Sequence, residues 1–166
     1  MRLKTHWFRD ATPRDPAQIA NALSSIVWRS ADVRLKNLRK GHFEIAAGPH
    51  YLQVLVELLV FLAIVADRIA LRYQPPEWRE AFTSALVRRV GDLLQDSFDD
   101  LLGPAPGGGY RKRFIDRFNS RFAEYGEFEY LPHGPEFALL RYFGDLLAQA
   151  MPEEADKRWA LDQAMT

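Results

Sequence analysis

Glu57-Leu58-Leu59-Val60-Phe61-Leu62-Ala63-Ile64-Val65-Ala66-Asp67-Arg68 is the stretch that decides the fold. Its middle is wholly apolar and both ends are charged. Crossing a bilayer takes about 20 apolar residues, and this run is far shorter. A helix that is apolar on every side belongs at the centre of a bundle. Outward from the run, Gly48-Pro49 opens the segment, because proline is tolerated in the first helical turn. Tyr73 precedes Pro75-Pro76, which ends it. The expected central helix therefore spans about residues 49–73.

The neighbouring segments carry helical spacing too. Asp15-Pro16-Ala17-Gln18 reads as a capped helix start, and Ile19, Leu23, Ile26, Val27 and Val33 continue it as an apolar stripe. Cations gather towards its end, where the macrodipole favours them, and Gly41 is the expected stop. A third helix runs from Pro76 to about Leu102, with Trp78, Phe82, Leu86, Leu93, Leu94 and Leu101 as its core. Gly103-Pro104-Ala105-Pro106-Gly107-Gly108-Gly109 then breaks the chain. A fourth helix covers about Tyr110 to Tyr125. The alternating segment 126–131 is expected to be extended, with Phe128 and Tyr130 inward. A fifth helix starts near Pro135, and a short terminal one near Pro152 carries Trp159 and Leu161. The fold expected is an all-α bundle of about five or six helices with an antiparallel hairpin about the 103–109 loop. Residues 1–166 are expected to form a single helical domain, with 1–14 as an arm held by Trp7 and Phe8.

Composition narrows the functional classes. Apolar residues make up 48% of 166, which is globular rather than disordered. Lys+Arg and Asp+Glu are each 22, so a generic polyanion binder, normally basic overall, is disfavoured. There is no cysteine, which excludes disulfides, thiolate metal sites and cysteine nucleophiles. No apolar leader core lies in the first residues, so a cytoplasmic protein is expected; arginine in excess of lysine fits a bacterial, GC-rich source. Nucleotide-binding, hydrolase and zinc-protease motifs are absent. No cofactor or metal is expected.

Three constellations stand out. Arg113-Phe114, Arg117-Phe118 and Arg121-Phe122 repeat every four residues, which stacks three arginines on one helix face. Asp92, Asp96 and Asp100 share that spacing on the third helix. Folding about the loop centre pairs Asp100 with Arg113, Asp96 with Arg117 and Asp92 with Arg121, so the ladder is read as an internal charge zipper rather than an external anion site. Second, His50, Glu57 and Arg68 fall on one face of the central helix at about 100° per residue. They are expected to be a partly buried acid between two solvent-reaching ends; with Phe128, Tyr130 and His133 they form the alternative, a ligand pocket. Third, Arg29, Arg34, Lys36, Arg39 and Lys40 form a basic patch at the end of the first helix.

The function expected is that of a non-enzymatic interaction or regulatory protein. Its partner is itself, in a homo-oligomer, or another protein, through amphipathic helices that share a face. The alternatives are a binder of, or enzyme for, a small apolar ligand near Glu57 and Arg68, and a nucleic-acid or anionic-membrane binder using the basic patch.

Overall fold

The computed structural model describes residues 15–40, 48–105 and 107–151, the side chains of 39, 40 and 49 excepted. The N-terminal arm with Trp7 and Phe8, the expected stop at Gly41, and the terminal helix with Trp159 and Leu161 lie outside the described residues. The helices are α1 (Pro16–Lys40), α2 (Pro49–Tyr73), α3 (Pro76–Leu102), α4 (Gly109–Tyr125) and α5 (Phe137–Ala150), with a two-stranded antiparallel hairpin, β1 (Tyr130–Leu131) and β2 (Gly134–Pro135), between the last two. The chain is an all-α helical bundle. Among the described residues, no helix is long and apolar enough to cross a membrane.

α2 packs against each of the other four helices. Every residue from Val54 to Val60 is buried, so over this stretch the helix turns all sides to protein. Such burial contributes about 1.5–3 kcal/mol per large apolar side chain. α1 and α3 form the most extensive helix pair. The buried stripe of α1 is Ala20, Ser24, Val27, Ala31, Leu35 and Leu38. Small residues at three of these positions let the backbones approach closely. The expected stripe was wrong at two places: Ile26 is 60% exposed and Val33 49% exposed, because the buried face runs through Ala20, Ser24, Val27 and Ala31, where three of the four side chains are small. On α3, Phe82, Leu86, Val87, Val90, Leu94 and Phe98 are buried, whereas Leu101, expected inside, is exposed near the loop.

Asp15 caps α1 by accepting a hydrogen bond from the Gln18 backbone N–H at 3.3 Å. The corner between α2 and α3 is fixed differently. Asp67, buried, accepts from Arg79 Nε at 2.9 Å, from Arg79 Nη2 at 2.6 Å and from Thr83 Oγ1 at 2.6 Å. The fork of the guanidinium matches both carboxylate oxygens.

The α3–α4 hairpin is present, but the charge zipper across it is not. Asp92 pairs with Arg111, at 3.1 Å, and not with Arg121. Arg117 and Arg121 pair with Glu57 on α2 instead. Among the described residues Asp96, Asp100 and Arg113 make no ion pair. The reason lies in the loop. It runs back along α3 rather than turning symmetrically: the Tyr110 hydroxyl donates to the Gly103 carbonyl at 3.1 Å, and the Tyr110 ring lies 5.3 Å from that of Phe98. α4 therefore begins beside Gln95, whose side-chain oxygen accepts from the Arg111 N–H at 2.9 Å. Two glycines make this possible. A Cβ on Gly91 would sit 3.1 Å from Arg111 Cγ, and Gly109 has φ of 85°, with Gln95 against its open side. Asp96 and Asp100 are left beside the loop, and the arginine ladder points onward to α2.

Beyond α4, Phe128 and Tyr130 are half-buried while Glu127 and Glu129 are exposed, as the alternation predicts. The segment is not extended throughout, however: residues 126–128 turn, with the Glu127 and Phe128 N–H groups donating to the Glu124 and Tyr125 carbonyls at 3.3 Å, and only Tyr130–Leu131 is strand. Two arginines one turn apart on α2 hold this region. Arg68 Nη2 donates to the Tyr125 carbonyl at 3.2 Å and Arg72 Nη2 to the Tyr130 carbonyl at 3.1 Å.

Candidate functional site

The ladder arginines form one wall of a cleft of about 570 Å³ between α2, α4 and α5. Four-residue spacing brings Arg113, Arg117 and Arg121 to this wall, while Phe114 and Phe118 turn into the core. α2 contributes Leu52, Gln53, Val56 and Glu57, and α5 contributes Leu146, Gln149 and Ala150.

Glu57 is the anchor. It is 4% exposed, and both its oxygens are engaged: Arg121 Nε donates at 3.0 Å and Arg121 Nη2 at 2.9 Å. The third donor of Arg121, Nη1, reaches Glu124 at 2.6 Å. Burial opposes the charge on Arg121, but the hydrogen bonds it donates to Glu57 and Glu124 outweigh it and hold the guanidinium firmly protonated. Glu124 also accepts from the Tyr142 hydroxyl at 2.7 Å and the Ser120 hydroxyl at 3.0 Å. Burial pushes its carboxyl up, and the bonds from Tyr142, Arg121 and Ser120 bring it below the ordinary value. This bond to Glu124, followed by burial, raises the Tyr142 hydroxyl.

The outer part of the wall is less committed. Arg117 Nη1 lies 3.5 Å from Glu57 Oε1, and its side chain is 45% exposed. Arg113 lines the cleft and is exposed. Neither guanidinium makes a hydrogen bond among the described residues. Asp116, the second carboxylate in the lining, is neutralised by Lys112 at 2.6 Å.

No histidine or activated hydroxyl lines this cleft among the described residues, and Ser120 spends its proton on Glu124. Both oxygens of Glu57 are turned to Arg121 rather than into the cleft as free acceptors. What the arrangement offers is cationic donors above an apolar floor.

The other expected site residues are dispersed. His50 is exposed at the start of α2, its Nδ1 3.3 Å from the Ala150 carbonyl. Arg68 serves the end of α4 rather than Glu57. Phe128 packs on Tyr142, with ring centroids 5.2 Å apart, and Tyr130 pairs in the small hairpin whose tip carries exposed His133. Of that expected pocket, only Glu57 lines the cleft. In the basic patch, Arg29, Arg34 and Lys36 are exposed on α1 and Lys36 pairs with Asp32 at 2.6 Å; the side chains of Arg39 and Lys40 lie outside the described residues. Among the described residues, no group of three potential ligands converges on a metal position.

Behind the clamp, the Tyr125 hydroxyl is buried with no hydrogen-bond partner among the described residues. Burial, and then the nearby Glu57 charge, push its proton affinity up. Its ring makes edge contacts with Phe61 at 5.9 Å and Tyr142 at 5.8 Å. Tyr125→Phe keeps both contacts and removes an unsatisfied polar atom. Urea unfolding is expected to show a gain of about 1 kcal/mol; a loss of that size would mean the hydroxyl has a partner.

A second concavity, a groove of about 450 Å³, lies where α1, α2 and the start of α3 meet. Apart from Ser30 and Gln74, every lining side chain is apolar or aromatic. Ile26 and Ile69 stand exposed at its edges, and Tyr73 is 69% exposed.

Sequence reasoning missed the Asp67–Arg79–Thr83 cluster and the roles of Glu124 and Tyr142. The signal for the first was present: Arg79 and Thr83 sit one turn apart just past a Pro-Pro corner, with an acid about two turns before it. Comparison with family models, with curated proteins and with solved structures gave no match.

Proposed function

We propose that this is a non-enzymatic interaction protein that associates with a second copy of itself through the groove between α1, α2 and α3. The observation that carries this reading is the groove itself. It is a trough with almost no polar lining, bordered by ridges that expose Ile26, Ile69 and Tyr73. Apolar surface of this kind, grouped rather than scattered, marks an association face. The occupant is argued from shape and charge. A trough beside its own ridge is self-complementary under a two-fold axis, where each copy offers the ridge that fills the other's trough. The rim carries both signs, with exposed Arg29 beside Ser30 on α1 and exposed Glu77 beside Trp78 on α3. A two-fold contact can bring these together without like-charge repulsion.

The test is sedimentation equilibrium over a range of protein concentration. The weight-average mass is expected to rise from monomer towards dimer. Ile69→Glu places a charge on the ridge, and dimer affinity is expected to fall about tenfold or more, with unchanged far-UV circular dichroism. A constant monomer mass at the highest concentrations rejects the reading, as does a dimer indifferent to Ile69→Glu.

A further inference from the structure

We propose that the cleft between α2, α4 and α5 is a binding site for a small organic monocarboxylate, with Arg113 and Arg117 holding the anionic head and Leu52, Val56, Leu146 and Ala150 receiving the apolar body. This site is separate from the self-association groove, and the proposal stands or falls independently of it.

The argument starts from what each arginine has left to give. A guanidinium has five N–H donors. Arg121 spends its donors on Glu57 and Glu124 and is 11% exposed, so it is structural. Arg117 has one long contact, 3.5 Å to Glu57 Oε1, which fixes where the side chain points without saturating it. Arg113, one turn away, lines the same cleft and makes no hydrogen bond or ion pair among the described residues. Two unsaturated forks therefore face a volume of about 570 Å³, within the usual range for small-molecule sites.

Charge selects the ligand class. Counted with the groups that pair with it, the lining holds Arg113, Arg117, Arg121 and Lys112 against Glu57, Glu124 and Asp116, an excess of one positive charge. A monoanion balances that excess. A dianionic phosphate would overshoot it and approach Glu57 and Asp116. A cation gains nothing, because both Glu57 oxygens already accept from Arg121. The planar carboxylate matches the guanidinium fork in two parallel hydrogen bonds. The apolar floor then favours a hydrocarbon body over a bare ion, and Gln53 and Gln149, exposed on opposite walls, supply neutral polar contacts at the mouth.

The experiment is a titration of the full chain followed by backbone amide shifts, with hexanoate, hexanol and inorganic phosphate as probes. Hexanoate is expected to give saturable shifts at residues 53–57 and 113–121, with Kd about 1 mM or tighter. Hexanol and phosphate are expected to bind at least about tenfold more weakly. In Arg113→Gln/Arg117→Gln, both changes being at exposed positions, hexanoate affinity is expected to fall about 10- to 100-fold. No saturable shift up to about 10 mM hexanoate overturns the proposal. So does equal binding of hexanol, which makes the site merely apolar, or tighter binding of phosphate, which makes it a different anion site. The comparison of the three probes uses the unaltered protein, so it decides even if the double variant misfolds.

Discussion

Glu57→Ala is expected to lower the free energy of unfolding by about 3–5 kcal/mol, the usual cost of stranding one partner of a buried ion pair. The side chain of Arg121 is 11% exposed, and it would keep only Glu124. Replacing both partners with apolar residues, as in Glu57→Leu/Arg121→Met, is expected to recover most of that loss, because no charge is left without its counterpart. A double-mutant cycle in urea measures the coupling. If Glu57→Ala costs under about 1 kcal/mol, water has reached Arg121 and the clamp is not a dry one. The same cluster gives the fold an acid-side weakness. The Glu124 carboxyl is held below its ordinary value of 4.5 in the folded chain, since bonds from Tyr142, Arg121 and Ser120 outweigh burial. Its contribution is complete above the unfolded value and disappears as pH falls from there through the lowered folded value. Tyr142→Phe, which removes one of those bonds, is expected to flatten the stability profile on that acid limb.

Asp67→Ala is the second large effect, again about 3–5 kcal/mol. Asp67 is 1% exposed and accepts three hydrogen bonds from two residues of α3. The change removes the acceptor and leaves Arg79 and Thr83 facing an apolar gap at the α2–α3 corner. Thr83→Val removes one of the three bonds and is expected to cost about 1 kcal/mol. Arg79→Ala strands the buried carboxylate and should approach the Asp67→Ala value. Thermal unfolding followed by circular dichroism ranks the three variants. If Thr83→Val equals Asp67→Ala, the ion pair contributes nothing and the hydroxyl bond alone holds the corner.

The fold was legible where local chemistry dictates it. Residues 58–66 place this helix at the bundle centre, with 58–60, 63 and 64 buried and Leu62, Val65 and Ala66 half-buried along the groove, and the prolines at 49, 75 and 76 mark helix ends with little ambiguity. The α1 stripe was harder, because close packing rewards Ala20 and Ala31, which carry almost no hydropathy signal. The candidate site was half legible. Glu57 was visible as an acid beside an apolar run, and the arginines as a ladder. Their meeting was not, because spacing along two helices says nothing of how a seven-residue loop folds back. Counting from the loop centre assumed a symmetric turn; Tyr110 and Gln95 instead draw the start of α4 back along α3. A resemblance in spacing between the aspartates and arginines then produced a false pairing.

That loop geometry bears on how this chain tolerates change in length. Register between α3 and α4 is set by contacts at Gly91 and Gln95, well before the connection begins, so the connection is not the ruler. Residues 107 and 108 are exposed, and both have positive φ. Surplus chain spliced between them extends into solvent without altering where the arginines meet Glu57. The protein thus carries a natural port for a fused reporter or an inserted domain, ahead in the chain of the joint at Arg111 that fixes α4 and of the cleft residues Arg113 to Arg121.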